Sequence, residues 1–294
     1  VKRAGDGATA ISLIAEAPQD VLVVAPTLPD MSVATLLGQI RTLRPETSRI
    51  AVIGGQPAAR VLSLAHRFLP LPVGEAQLLE AIGSLEELRE LLDNPALREC
   101  IGKIEKLPSP PQTYLALAHA LEAEEDTSAS DIAQLIAGDP AIAAKVLQLC
   151  NSAYFSAGRT ITDLRGAVTR LGMATMRDLV LASEVFAHGA RPDLDRVGMQ
   201  QRALIASQLA RRMLPESSAE LGAAAALLAD IGLLLPGIRD ERAAPDTQPA
   251  DAPGHTEAGA YLLGLWGLPM PIIEAVAFHL EPQKSNTRSF WVTG

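Results

Sequence analysis

A chain of 294 residues, 48% of them hydrophobic and 3% aromatic, has enough apolar material for two cores built chiefly from Ala, Leu, Val and Ile. Its formal net charge of −9 argues against a generic binder of nucleic-acid backbone or anionic membrane. Cys100 and Cys150 lie far apart without a CxxC, and no secretory segment or bilayer-length apolar run is expected, so a cytoplasmic chain with buried, reduced thiols and no disulfide is the default.

Residues 1–85 alternate strand and helix. Val21–Val24 and Ile50–Ile53 are short apolar runs bounded by turn residues, as buried parallel strands require. Helical periodicity covers Ala8–Ala17, Val33–Leu43, Ala58–His66 and Glu75–Ile82. Strands separated by helices imply βαβ units and a parallel sheet.

The strings Asp20–Met31, Arg49–Gly54 and Ala65–Pro72 resemble the receiver domain of response regulators. The resemblance implies a flavodoxin-like fold. It places the phosphoacceptor Asp on Ala25, a hydroxyl residue on Ile53 and a Lys on Leu71. None of the three can do that chemistry, which makes the domain a degenerate receiver with no phosphorylation site. The first strand and helix of the family are missing. Val1–Gly7 reads as the second strand and its turn, so the natural chain is expected to begin about 30 residues earlier, the size of a strand–helix pair. Phe290–Gly294 stops at a helix start, and the sequence reads as a fragment at both ends.

Residues 86–106 read as a linker. Leu85, Leu88 and Leu92 share a face and Asn94-Pro95 breaks the run. Too few heptads are present for a coiled coil, so a solvated connector helix is expected rather than a dimer-forming or movement-transmitting one.

Residues 107–294 read as all-helical. Ser109-Pro110-Pro111 opens a helix with Tyr114, Leu117, Ala118 and Leu121 on one face and His119 off it. Asp139-Pro140 caps and starts the central helix. Its apolar positions Ile142, Val146 and Leu149, widened by Ala143, Leu147 and Cys150, predict burial on most sides. Asn151 and Ser152 lock the following turn, and Tyr154 and Phe155 anchor it. Thr162 is the expected cap of a helix ending at Gly172, and Ala174–Phe186 forms the next. Helices are expected over 199–213, 220–235, 255–265 and 270–281. Between Leu235 and His255, four prolines and several charges predict a mobile loop, with partner binding by Asp240–Ala252 as a hypothesis. No Gly-rich phosphate loop follows a strand.

The motif Asp139-Pro140…Asn151-Ser152-Ala153-Tyr154-Phe155, with Leu107–Pro111 before it and Ala167-Val168-x-x-Leu171-Gly172 after it, resembles the HDOD family, degenerate relatives of the HD and HD-GYP phosphohydrolases. The resemblance implies a helical signalling output domain with no established chemistry. In the HD superfamily a His-Asp doublet, an upstream His and a later Asp bind metal, which lowers the pKa of a bound water. Here Ala229 replaces the doublet's His, and the upstream His maps onto Arg202. Asp230, His255 and His279 remain, while Leu280 replaces the second His of the HD-GYP pair. We expect these three to be relics rather than metal ligands, Asp139 to be a cap rather than an acid–base group, and Trp266 to be a core anchor.

The expected protein is a degenerate receiver (1–85), a linker helix (86–106) and an HDOD domain (107–294). It would act by binding other signalling proteins, such as sensor kinases, cyclic-di-GMP turnover enzymes or other regulators. Neither cofactor nor catalysis is expected, nor are nucleic-acid or membrane partners, and a homodimer is left open. The alternative is a metal-dependent phosphohydrolase acting through Asp230, His255 and His279. A transcription regulator fits poorly, lacking a basic helix-turn-helix.

Overall fold

The computed structural model describes residues 1–54, 59–104, 128–137, 142–143, 146–147, 150, 163–185, 194–243, 249 and 251–285. The chain divides into two compact units. One is Val1–Ser109 with Leu235–Gly294, and the other is Pro110–Leu234.

The first unit opens with α1 (Gly7–Glu16), β1 (Val21–Val24), α2 (Val33–Leu43), β2 (Ser48–Ile53), α3 (Ala59–Leu64) and β3 (Arg67–Pro70). The strands form a small parallel sheet in the order β1-β2-β3, with Val23 opposite Ile50 and Ala51 opposite Phe68. Asp6 caps α1 by accepting from the Thr9 amide (2.7 Å), and Ser32 caps α2 by accepting from the Thr35 amide (3.0 Å). Ala10, Ile14, Leu36, Leu37, Ile40, Val61 and Leu64 close over Val24 and Ala51 as one core. α1, β1, α2 and β2 fall within two residues of where the apolar periodicity predicts them, and β3 lies in the string Ala65–Pro72 that the resemblance picks out. Val1–Gly7, read as a strand and its turn, holds no strand: residues 1–6 are irregular and Gly7 opens α1.

The connector differs from the expectation. Glu75–Leu91 is one continuous helix, α4, and α5 (Pro95–Lys103) follows with Asn94 as its cap, accepting from the Leu97 amide at 3.1 Å. Leu85, Leu88 and Leu92 are buried rather than solvated. They face α11 (His255–Trp266) and α12 (Met270–Phe278), which belong to the same unit. Heptad counting weighs only self-pairing, whereas this leucine face is covered from more than 160 residues away in the chain. Gly102 on α5 approaches Pro45 so closely that a Cβ would fall 1.9 Å from the Pro45 carbonyl oxygen.

Two buried arginines tie this unit together. Arg49 lies in β2. Its guanidinium donates to the carbonyls of Leu64 (2.8 Å), Thr47 (3.2 Å) and Pro45 (3.3 Å) and meets His66 Nε2 at 2.7 Å. Burial, and then Arg41, lower its pKa to about 10. Arg67 opens β3 and donates to Ala81 O (3.0 Å), Ser84 Oγ (2.7 Å), Gly264 O (2.8 Å) and Leu265 O (3.4 Å). Leu64, Gly264 and Leu265 sit in last helical turns, where carbonyls lack intrahelical partners and the dipole favours a cation.

The second unit contains α6 (Ala129–Ala137), α7 (Leu164–Leu171), α8 (Met173–Val185), α9 (Arg196–Met213) and α10 (Glu216–Leu228). Asp163, not Thr162, caps α7, accepting from the Gly166 amide at 2.7 Å; Thr162 itself lies outside the described residues. Gly172 ends α7 at φ +82°, where a Cβ would be strained. The expected single helix over 220–235 is broken. After α10 the chain turns at Ala229-Asp230 and continues as a 3₁₀ turn, Ile231–Leu234, with Leu233 N donating to Asp230 O at 3.0 Å.

Glu216–Leu234 does have the length and apolar composition of a membrane span, contrary to the expectation that no such run exists. Most of it is buried, and α10 packs on α9 and α8, as a core helix does. Between α8 and α9, Asp178 accepts from Ser207 Oγ (3.0 Å) and Arg211 Nη2 (2.7 Å).

Candidate functional site

The segment before α11 is built around His255. Gly254 stands at the N-cap without a side chain, and Glu241 fills the gap by accepting from the Thr256 amide (2.9 Å). Arg239 bridges to Gly254. Its amide donates to Pro253 O, its Nε to Ala252 O, and its own carbonyl accepts from the His255 amide, each at 3.0 Å. Both arms of the loop expected to be mobile are therefore zipped together, because backbone pairing and a helix cap do not need apolar side chains. Residues 244–248 and 250 within it lie outside the described residues.

The His255 side chain is fully buried. The Glu241 amide donates to its Nδ1 at 3.2 Å, while Glu241 Oε2 and Asp240 Oδ1 lie 3.3 and 3.8 Å from the same nitrogen. His279 follows α12 and places Nδ1 2.9 Å from Val276 O. The two rings meet edge to face with centroids 5.7 Å apart. Asp230 lies in the turn closing α10 and belongs to the second unit.

The hydrogen bonds assign the tautomers. His279 donates from Nδ1 to a carbonyl and so keeps a lone pair on Nε2, the arrangement usual in a metal ligand. A neutral His255 that accepts the Glu241 amide on Nδ1 carries its proton on Nε2 instead. Within this unit the histidines thus supply one ligand-ready nitrogen between them, and the flanking positions Ala229 and Leu280 offer no donor atom.

Other predicted positions are more dispersed. Ala25 directly follows β1, Ile53 ends β2 and Leu71 directly follows β3, so all three stand at the carboxyl edge of the sheet, where parallel α/β sheets bind ligands. Arg202 is exposed on α9. Asp139, Pro140, Asn151, Ser152, Tyr154 and Phe155 lie outside the described residues, as does His119. Of the central helix, Val146 and Cys150 are buried as expected, Ile142, Ala143 and Leu147 are half-buried, and burial pushes the Cys150 thiol up to about 11. Trp266, the expected core anchor, is half-buried at the end of α11.

Sequence reading missed Glu241, Arg49 and Arg67. A carboxylate that caps a helix 15 residues downstream leaves no local spacing signal. An arginine inside an otherwise apolar strand does leave one, since buried charge demands partners.

Residues 107–244 match the family model of the HDOD domain. A protein of Treponema pallidum (strain Nichols), uncharacterized by name, is 29% identical over 202 residues, covering 60% of this chain and 38% of that protein. The chain thus matches well under half the length of that relative. The crystal structure of an HDOD domain protein of unknown function from Geobacter sulfurreducens is 22% identical with a TM-score of 0.54. The match covers 71% of this chain and 75% of that one. A structure from Shewanella amazonensis SB2B, provisionally named a phosphohydrolase, is 22% identical with a TM-score of 0.48, covering 67% of this chain and 77% of that one. From the family match, residues 107–244 carry an HDOD domain.

Proposed function

We propose that the protein is a non-catalytic signalling module, a degenerate receiver joined to an HDOD domain, that works by holding partner proteins in a two-component or cyclic-di-GMP-linked pathway. One observation carries this reading. At five of the positions where the resemblances place chemistry the side chain is Ala25, Ile53, Leu71, Ala229 or Leu280, none of which can accept a phosphoryl group or ligate a metal, and only Asp230, His255 and His279 keep a ligating side chain. The strand order β1-β2-β3 supports the receiver reading, since the last three strands of the 2-1-3-4-5 arrangement are also parallel neighbours in sequence order. With no phosphoacceptor, switching would come from partner contacts that bias a pre-existing equilibrium. Sensor kinases, cyclic-di-GMP turnover enzymes or other regulators are the proposed partners, and a cytoplasmic location is part of the same proposal.

The second reading is a residual phosphohydrolase using Asp230, His255 and His279. The close approach of the two histidine rings favours it. The test is hydrolysis of a nucleotide panel, cyclic di-GMP included, with Mg, Mn, Fe and Ni supplied in turn. Turnover abolished by Asp230→Ala overturns the binding reading, and no turnover with any metal supports it. Deleting Asp240–Ala252 to test partner binding would also remove Glu241, the cap of α11, so the loop is better probed by substitutions that spare Arg239 and Glu241.

A further inference from the structure

Helix α9 presents two unlike faces. Met199, Gln200, Leu204 and Ser207 are buried, and the helix packs through them on α8 and α10. On the opposite side Ile205 (39% exposed), Leu209 (48%) and Met213 (80%) stand in solvent. They are four residues apart, so they form one continuous i, i+4, i+8 row along the last turns of the helix.

The charge on this helix is also one-sided. Its sequence, RVGMQQRALIASQLARRM, holds arginines at 196, 202, 211 and 212 and no carboxylate, in a chain whose net charge is −9. Arg202 and Arg212 are exposed. They lie three residues before Ile205 and three after Leu209, so two apolar side chains are bracketed by two guanidinium groups roughly 15 Å apart along the axis.

We propose that this face of α9 is a docking surface for an amphipathic helix of a partner protein whose apolar side is bracketed by carboxylates. The inference rests on the binding-module reading and names the surface and the partner's chemistry. The i, i+4, i+8 row is a ridge of the kind that interdigitates with the apolar stripe of an amphipathic partner helix, whose own anchors recur at i, i+3 or i+4 and i+7. The flanking guanidinium forks select carboxylates bidentately and reject a basic helix. A second copy docking the same face is disfavoured. Two-fold antiparallel pairing about Ile205 would bring Arg202 and Arg212 of both copies around one seam, and α9 carries no carboxylate between them to offset the repulsion. A lipid surface is disfavoured too, because the ridge has neither an aromatic nor a lysine and the acidic chain is repelled by anionic headgroups.

The experiment places a photo-crosslinking amino acid at Leu209 in the full chain, irradiates it in lysate of its source cells, and sequences the attached peptides. The expected result is a segment with an apolar helical period and flanking Asp or Glu. Arg202→Glu with Arg212→Glu should cut the yield about tenfold, as the loss of two rim charge pairs predicts, with far-ultraviolet circular dichroism unchanged. Attachment to this same chain, to lipid, to nucleic acid or to a basic segment overturns the proposal, and so does a yield indifferent to the charge reversals. A second probe at Gln39, exposed on α2, separates the two levels of failure. A partner captured at Gln39 alone refutes the α9 surface and leaves the binding module standing. Capture at neither site refutes the surface, and when accompanied by metal-dependent hydrolysis it refutes the binding module as well.

Discussion

Replacing Arg67 with Ala tests whether a single buried cation holds β3 to the end of α11. The side chain is 9% exposed and makes four donor contacts, to Ala81 O, Ser84 Oγ, Gly264 O and Leu265 O. A hydrogen bond from a charged group is worth about 1.5–3 kcal/mol, so four of them set a high gross value. Two effects reduce it. The cation is itself costly to bury, which is why burial lowers its pKa despite the opposing pull of Glu80, and water entering the vacated space re-solvates the freed carbonyls. A net loss of about 3 kcal/mol is therefore expected, with ~5 as the ceiling for breaking a buried charged contact. Arg67→Lys should fall between wild type and Ala, because one ammonium cannot reach what a planar fork spans. Urea unfolding followed by Trp266 fluorescence, in a Trp291→Phe background, reads the change next to Leu265. A loss below about 0.5 kcal/mol for Arg67→Ala, the scale of an ordinary surface substitution, would refute the reasoning.

His66 predicts a pH dependence. Its pKa is held well below 6.5 by burial and then by Arg49, whose amide donates to Nδ1 at 3.1 Å, a bond that an imidazolium could not accept. The folded pKa is depressed, so the unfolded chain takes up a proton that the folded one refuses. Stability is thus fully present above pH 6.5 and falls by about 1.4 kcal/mol per unit below it, a slope that His66→Gln should remove in urea titrations between pH 6.5 and 5. Asp178→Ala strips Ser207 and Arg211 of their shared acceptor and should cost about 2–4 kcal/mol in denaturant unfolding. Glu241→Ala removes the cap of α11 and should cost about 1 kcal/mol, with faster amide exchange at Thr256 as its local signature. Gly102→Ala drives a methyl group into the Pro45 backbone and should cost roughly 1–3 kcal/mol or more, whereas Gly83→Ala on α4 meets nothing and should not destabilise.

What the sequence made legible here was local. The strands Val21–Val24 and Ile50–Ile53 and the helix Val33–Leu43 carry their period, their turns and their caps within a few residues, and they appear where expected. The same holds for the Asn94-Pro95 break, because a capping side chain and a proline act on their own backbone. Each departure from expectation involves a long-range partner or a contest between neighbours. The leucine face of α4 looked solvated because α11 and α12 lie far along the chain, and the Arg239–Gly254 loop looked mobile because its order is backbone pairing rather than apolar burial. Thr162 and Asp163 both suit a cap, and propensity alone does not choose between adjacent candidates.

The candidate site shows the same division. That Ala229 and Leu280 cannot ligate is readable from residue type alone. That His255 and His279 differ in tautomer is not, since it follows from an amide on one side and a carbonyl on the other. Restoring residue type should therefore not restore function by itself. Returning a histidine with Ala229→His adds a donor but leaves Nδ1 of His255 facing the Glu241 amide. Metal uptake should stay weak in this variant by calorimetric titration with Mn or Ni. Uptake at micromolar affinity or tighter, without any change at Glu241, would mean that ligand count rather than hydrogen-bonded tautomer limits the site.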